Sequence, residues 1–268
     1  MKTLVVASQK GGVGKTTLSL NLGLAFAEAG HRVLLVDTDP QGAIGLSLSK
    51  AVTRRAGLAE CVAGEAEIAA VKLDSAIEGF SLLPVGQIAP HETHAFSTAM
   101  ASGERLAEVL APVRADFDLC LVDTPCGFGG ITVGALRNAD ATVSPIQAEP
   151  IAMRSVEQLL AMVQSLNDDG DPVRVAGFVL SMLQSGNEDS MAIAREAWSL
   201  FPPDLLFHAA IPRDPVFLRA AQEGVPVGML CTPRPSVAHV FDLLAAELAP
   251  RLDLPPKDAR HGLRRLVD

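Results

Sequence analysis

At 268 residues with 49% hydrophobic side chains, the chain is long enough to bury the core of one large α/β domain. Its formal charge of −9 at pH 7 excludes a protein whose whole surface is built for nucleic acid, so any such contact has to be regional. Four cysteines (Cys61, Cys120, Cys126, Cys231) without a CxxC pair, the lack of a secretory leader pattern and the lack of an apolar run near the ~18 residues a bilayer requires predict a cytoplasmic protein with reduced thiols.

The first predicted element is an apolar strand at residues 3–8, and an amphipathic helix through Ala29 follows the loop after it. Between them stands Lys10-Gly11-Gly12-Val13-Gly14-Lys15-Thr16-Thr17. Strand, glycine-rich loop, Lys-Thr pair and helix in that order make a phosphate-binding loop. The glycines let backbone N–H groups turn inward around a polyphosphate, and the helix N-terminus adds its partial positive charge. Lys15 is then placed to reach the β- and γ-phosphates and the Thr16 hydroxyl to ligate Mg²⁺.

Lys10, directly ahead of the glycines, goes beyond the general pattern. It resembles the extra lysine in the deviant Walker A box of the ParA/MinD ATPases. The resemblance implies that Lys10 crosses the interface of an ATP-sandwich homodimer and touches the partner's nucleotide.

A second strand at residues 32–36 is wholly apolar, as expected of a parallel sheet covered on both faces, and it delivers Asp37-Thr38-Asp39-Pro40-Gln41-Gly42 to its carboxyl end. That stretch resembles a ParA-type switch I. The resemblance gives Asp39 the water that attacks the γ-phosphate and Asp37 a place in the magnesium shell.

Residues 43–116 say least. Helical periodicity is present at 58–70 and 104–113, and a strand is predicted at 80–84. His91 and His94 beside Glu92 have a spacing that could hold a metal on a helix, but no third ligand cluster accompanies them.

The apolar strand ending at Asp123 reads as a Walker B segment, with Asp123 holding Mg²⁺ or its water and Gly127, Gly129 and Gly130 giving the next loop freedom to sense the γ-phosphate. Relatives in the family usually carry two prolines here, whereas this chain has Pro125 followed by Cys126. Nitrogenase iron proteins share the deviant loop and hold an iron–sulfur cluster through such a cysteine. A cluster needs a second cysteine in each chain, and neither Cys61 nor Cys120 lies in a glycine-rich loop, so Cys126 is expected to be a buried or half-buried free thiol.

Strands at 141–146 and 173–181 alternate with helices near 151–166 and 190–201. Gln147 and Glu149 resemble the family's QAE loop at the dimer face. Pro212, Arg213 and Asp214 resemble the IPR loop that covers adenine, a task suited to the flat apolar face of a proline. A closing helix at 236–251 precedes Pro255-Pro256 and a short basic tail. Within the tail Leu263, Leu266 and Val267 recur at helical spacing among arginines, a faint likeness to MinD membrane tails.

The expectation is therefore a doubly wound, mostly parallel α/β sheet with helices on both faces, a P-loop NTPase of the deviant Walker A type. It comprises one domain at 1–254 and a tail at 255–268. The resemblance implies an ATP- and Mg²⁺-dependent ATPase, with Asp39, Lys10 and Lys15 in catalysis, that positions or segregates a cargo and answers to a ParB-like or other activating partner. With the loop nine residues into the chain, no N-terminal operator-binding domain is expected. Two other classes stay open, a MinD-like membrane-cycling regulator and an iron–sulfur reductase component.

Non-specific DNA binding by the dimer would use Arg195, Arg213, Arg219, Lys257, Arg260, Arg264 and Arg265. Val216 stands where nucleoid-coating relatives commonly place another arginine, and residues 183–189 contain no basic side chain. Neutralising only a few phosphates would give weak binding, with a slope of log K against log salt of about −3.

Overall fold

A computed structural model describes residues 1–48, 52, 55–148 and 152–258. The chain runs from β1 (Lys2–Val6) through the glycine loop into α1 (Lys15–Glu28) and β2 (Val33–Asp37). The stretch with the weakest sequence signal forms α2 (Ala43–Leu48), α3 (Leu58–Ala63), α4 (Ile68–Val71), β3 (Leu73–Asp74), β4 (Phe80–Leu83), α5 (Thr93–Met100) and α6 (Glu104–Leu110). Next come β5 (Leu119–Asp123), α7 (Gly130–Arg137), β6 (Ala141–Gln147), α8 (Ala152–Asp168), β7 (Arg174–Ser181) and α9 (Glu188–Leu200), and then α10 (Val216–Glu223) and α11 (His239–Arg251).

Among the described residues the strands make one seven-stranded sheet in the order β3-β4-β2-β5-β1-β6-β7. Every neighbouring pair is parallel except the two-residue β3 against β4. At the opposite edge β7 is met at isolated points, by Leu206 beside Phe178 and by Pro212 beside Leu183 just past the strand. The order reverses at β1, which lies between β5 and β6, so the loop after β1 opens at a switch point where parallel sheets form a crevice.

Strand alternation divides the core between the two faces. Leu4, Val6, Leu35 and Leu121 point into one apolar cluster with Leu18, Leu22 and Phe26 of α1 and Phe241, Leu244 and Leu248 of α11. Val5, Leu34, Val36, Cys120 and Val122 point into the other, with Phe96 and Met100 of α5, Leu136 of α7 and Leu159 of α8. Both faces being dry, the central strands read as continuous apolar runs.

Two helix expectations change. The helix after the loop is not amphipathic in place: residues 18–27 of α1 are all buried, because α1 is packed between the sheet and α11. Its polar Asn21 is satisfied there, its Nδ2 donating to Thr17 O at 2.8 Å and its Oδ1 accepting the Val227 N–H at 2.8 Å. The periodic stretch 58–70 breaks into α3 and α4, since Gly64 caps α3 with φ 77°, a left-handed conformation that does not continue a helix. The 104–113 segment is α6 followed by a 3-10 turn at 111–113.

Close approach of α7 to α5 depends on Gly134, where an added Cβ would lie 1.7 Å from Met100 O. Gly134→Ala should therefore force the helices apart and destabilise the fold by about 1–3 kcal/mol. Urea denaturation checks this, and an unchanged midpoint would show that the contact relaxes freely.

Candidate functional site

The loop after β1 takes its shape from glycine. Gly12 (φ 72°) and Gly14 (φ 92°) are left-handed, and Gly14 is the residue from which α1 starts, its C=O accepting the Leu18 N–H at 2.9 Å. Lys15 is 8% exposed, with its Nζ curled back to 3.5 Å from Lys10 O. Val13 is buried, which pins the loop to the body of the domain while its glycines face outward.

Parallel pairing brings the acidic residues to the same level. Asp37 and Asp123 are register partners at the carboxyl ends of β2 and β5, and Val6 of β1 pairs with Asp123 on the other side. Thr16 Oγ1 donates to Asp123 Oδ2 at 2.7 Å, and Ser19 Oγ lies 2.8 Å from Asp123 Oδ1. The Thr38 hydroxyl and N–H both reach Asp123 O, at 2.7 and 3.0 Å, which ties the switch I strand end to the Walker B strand end. Asp37 accepts N–H bonds from Asp39 at 3.0 Å and Ile44 at 3.1 Å, so it also fixes the entry to α2. Asp39 is half-buried, and its Oδ1 accepts the Gln41 N–H at 2.9 Å in a local turn.

Both strand-end aspartates are fully buried, and burial pushes each carboxyl above its ordinary range. For Asp37 the nearby Asp123 charge adds to burial. For Asp123 burial outweighs the Thr16 and Ser19 hydroxyl bonds, and the value is pushed up to about 6. The buried Ser8 Oγ at the head of the loop has no hydrogen-bond partner among the described residues. Two dry carboxylates beside a threonine hydroxyl, under a cradle of left-handed glycines, have the donor chemistry of a magnesium–polyphosphate site. Magnesium takes one or two carboxylates and completes its shell with water and phosphate oxygens.

Beyond β6 and β7 the sheet edge carries the segment expected to cover a base. Leu183 N–H donates to Ile211 O at 3.0 Å and Arg213 N–H to Leu183 O at 2.9 Å, so residues 211–213 extend the sheet beside β7. A cavity of about 180 Å³ lies there, lined by Gln147, Met182, Gln184, Asn187, Asp189 and Arg213 among others. Arg213 faces it, whereas Asp214 turns away to accept the Val216 N–H at 2.8 Å at the start of α10. Gly14 adjoins this side, an added Cβ lying 3.4 Å from Ser181 Oγ.

Comparison with known proteins bears on the family and the fold. The family model of an AAA domain matches residues 1–173. The chromosome partitioning protein ParA of Caulobacter vibrioides is 34% identical over 233 residues, covering 85% of this chain and 86% of that one. The sporulation initiation inhibitor protein Soj of Bacillus subtilis is 32% identical over 255 residues, covering 92% and 98%. The chain belongs to the ParA/MinD family of P-loop ATPases. The ATP complex of Cyanothece McdA shares its fold, with a TM-score of 0.79 at 24% identity over 95% of this chain and 97% of that one.

Other parts of the family pattern are placed differently from expectation. Cys126 is exposed rather than buried or half-buried, because switch II bulges outward after Pro125 with Gly127 (φ 86°) held to Ser8 O at 3.1 Å. Its thiol lies over the phosphate loop, 3.9 Å from where a Cβ on Gly11 would sit. Cys120 is fully buried within β5, where burial pushes its thiol up to about 12, and Cys61 is half-buried on α3. Gly130 does not loosen switch II: it begins α7 and packs against Ser97, whose O would lie 2.8 Å from an added Cβ.

Arg195, Arg213 and Arg219 are exposed. Lys257 is not with them, being bonded to Asp118 at 2.5 Å at the opposite, amino-terminal edge of β5. Glu149, Arg260, Leu263, Arg264, Arg265, Leu266 and Val267 lie outside the described residues. Sequence reasoning missed Ser19 beneath Asp123 and the lining of the base-side cavity by Met182, Gln184 and Asp189. The helical position of Ser19, three after Thr16 on one face, was the available signal for the first.

The two raised carboxyls make a pH prediction. A group whose value rises on folding favours the fold while protonated. Its contribution is complete below the ordinary value of 3.8 and is lost as pH rises through about 6 for Asp123. That shift corresponds to about 3 kcal/mol. The thermal midpoint of the metal- and nucleotide-free protein should therefore fall between about pH 4 and pH 7, and less so in Asp123→Asn. A midpoint that rises over that interval in both proteins would show that other groups govern the pH response.

Proposed function

We propose that this protein is a ParA-type ATPase that dimerises on ATP and hydrolyses it to ADP and phosphate, slowly until an activator engages it, to position or segregate a cargo in a bacterial cell. The cargo is chromosomal or plasmid DNA or a protein cluster, and the activator is ParB-like or another partner protein. The observation that carries the reading is Lys10 at the head of a loop whose Thr16 hydroxyl bonds Asp123 at 2.7 Å. Identity of about a third to partitioning proteins over most of the chain supports the same assignment.

In this reading residues 1–254 form the ATPase domain. The loop N–H groups and Lys15 hold the β- and γ-phosphates, and Arg213 with Pro212 borders the base. Thr16 and Asp123 hold the cation, and Asp37 orders water around it. Magnesium, when bound, shields the charge that builds on the phosphates during transfer. Asp39 orients the attacking water from the turn that the Gln41 N–H fixes. Lys10 reaches the partner's phosphates, so the dimer falls apart once the γ-phosphate has left. Exposed Arg195, Arg213 and Arg219 make the dimer's face toward non-specific DNA, weak and salt-sensitive.

Phosphate release and sedimentation with ATP test the proposal. Asp39→Ala should bind ATP and persist as a dimer while hydrolysing about 100-fold more slowly, because only the positioning of water is lost. Lys15→Ala should lose binding of a fluorescent ATP analogue, because no other mobile cation of the loop meets the same phosphates. An Asp39→Ala protein with undiminished turnover, or a Lys15→Ala protein with unchanged affinity, would overturn the assignment.

A further inference from the structure

Asp123 ends β5 with its two carboxylate oxygens held by two different hydroxyls of α1. Oδ2 accepts from Thr16 Oγ1 at 2.7 Å, on the half-buried side where the phosphate loop opens. Oδ1 lies 2.8 Å from Ser19 Oγ, and Ser19 is fully buried almost a turn further along the helix. Positions three apart on a helix share a face, so α1 brings both hydroxyls to one strand end as a fork. Ser19 Oγ also lies 3.0 Å from Lys15 O, the back-bond that a serine within a helix commonly makes. A hydroxyl has one hydrogen and serves one of these acceptors at a time. A carboxylate that holds a cation is ionised, and an ionised acceptor takes the hydrogen in preference to a neutral carbonyl. Ser19 then donates to Oδ1, which turns that oxygen toward the core and Oδ2 toward Thr16.

We infer that Ser19 is a positioning residue that makes Asp123 a one-oxygen partner of the cation and so sets a preference for Mg²⁺ over Ca²⁺. The inference rests on the reading of Thr16 and Asp123 given above. The Ser19 bond does not exhaust the lone pairs of Oδ1; it fixes the way the carboxylate is turned. Magnesium demands a near-octahedral shell, keeps several waters and needs only one oxygen from a carboxylate. Calcium is larger, takes about six to eight oxygens and commonly grips a carboxylate through both. To offer both oxygens Asp123 would have to rotate off Ser19 and give up a hydrogen bond to a charged group. Asp37 does not take over that part. Its Oδ1 accepts the Asp39 N–H at 3.0 Å and its Oδ2 the Ile44 N–H at 3.1 Å, and these main-chain donors fix its carboxylate in turn.

The experiment titrates the full chain with a fluorescent ATP analogue in EDTA, with Mg²⁺ and with Ca²⁺, so it reads binding rather than turnover. In EDTA, Ser19→Ala should match the unaltered protein within about twofold, because the loop and its lysine are untouched. With Mg²⁺ it should bind about tenfold more weakly, the value of one hydrogen bond to a charged group, while the Ca²⁺ affinity stays within about twofold. The preference for Mg²⁺ therefore narrows about tenfold. Ser19→Thr keeps a hydroxyl at the same place and should return the ratio to that of the unaltered protein. A merely structural role would lower the Mg²⁺ and Ca²⁺ affinities together, and that outcome overturns the inference, as does a loss of binding in EDTA. Failure of the underlying reading looks different. If the unaltered protein binds the analogue no better with Mg²⁺ than in EDTA, Thr16 and Asp123 do not hold the cation. If it does bind better and Ser19→Ala keeps the full preference, only the role of Ser19 falls.

Discussion

Two carboxylates held dry at the ends of neighbouring strands are the constraint around which the rest of this molecule is arranged. Isolated, Asp37 and Asp123 would be costly to bury, and like charge makes it worse, from Asp123 on Asp37 and from Asp39 on Asp123. The fold accepts that arrangement by surrounding them with short-range donors: two hydroxyls on Asp123 and two backbone N–H groups on Asp37. A pair of this kind is neutralised by protons or by a bound cation. Everything that sets the level of the strand ends serves this pair, including the parallel register of β1, β2 and β5 and the burial of α1 between sheet and α11.

The same placement joins the segments that follow β1, β2 and β5. Thr38 is bonded twice to the backbone oxygen of Asp123, and Gly127 of switch II is bonded to Ser8 at the head of the phosphate loop. Switch I, switch II and the loop are therefore joined through main-chain groups at strand ends rather than through long side chains.

Much of this was legible in the amino acids because the residues concerned have few alternatives. Apolar runs ending in Asp37 and Asp123, and a glycine loop followed by Lys15 and Thr16, specify strand ends and a helix start at once. The periodicity of α1 misled because a helix covered by both the sheet and a second helix needs no solvent face, and its serine and asparagine are satisfied internally. Residues 43–116 were opaque for another reason: α2 to α6 are short, and α3 is cut off by Gly64, leaving too few turns for a period to register. Exposure of Cys126 and the place of Met182 in the base-side cavity were out of reach because each depends on a single backbone conformation at the end of a strand.

The edges of the sheet have a consequence for how copies of the chain can meet. An open parallel sheet presents unpaired main-chain groups along its outer strands, the usual route to uncontrolled strand addition and fibres. Here one border ends in a two-residue antiparallel strand, too short to template a neighbour. The other is interrupted by the touches of Leu206 and Pro212, which occupy main-chain sites where an invading strand would have to bond. Self-association by strand addition is thereby discouraged along both borders.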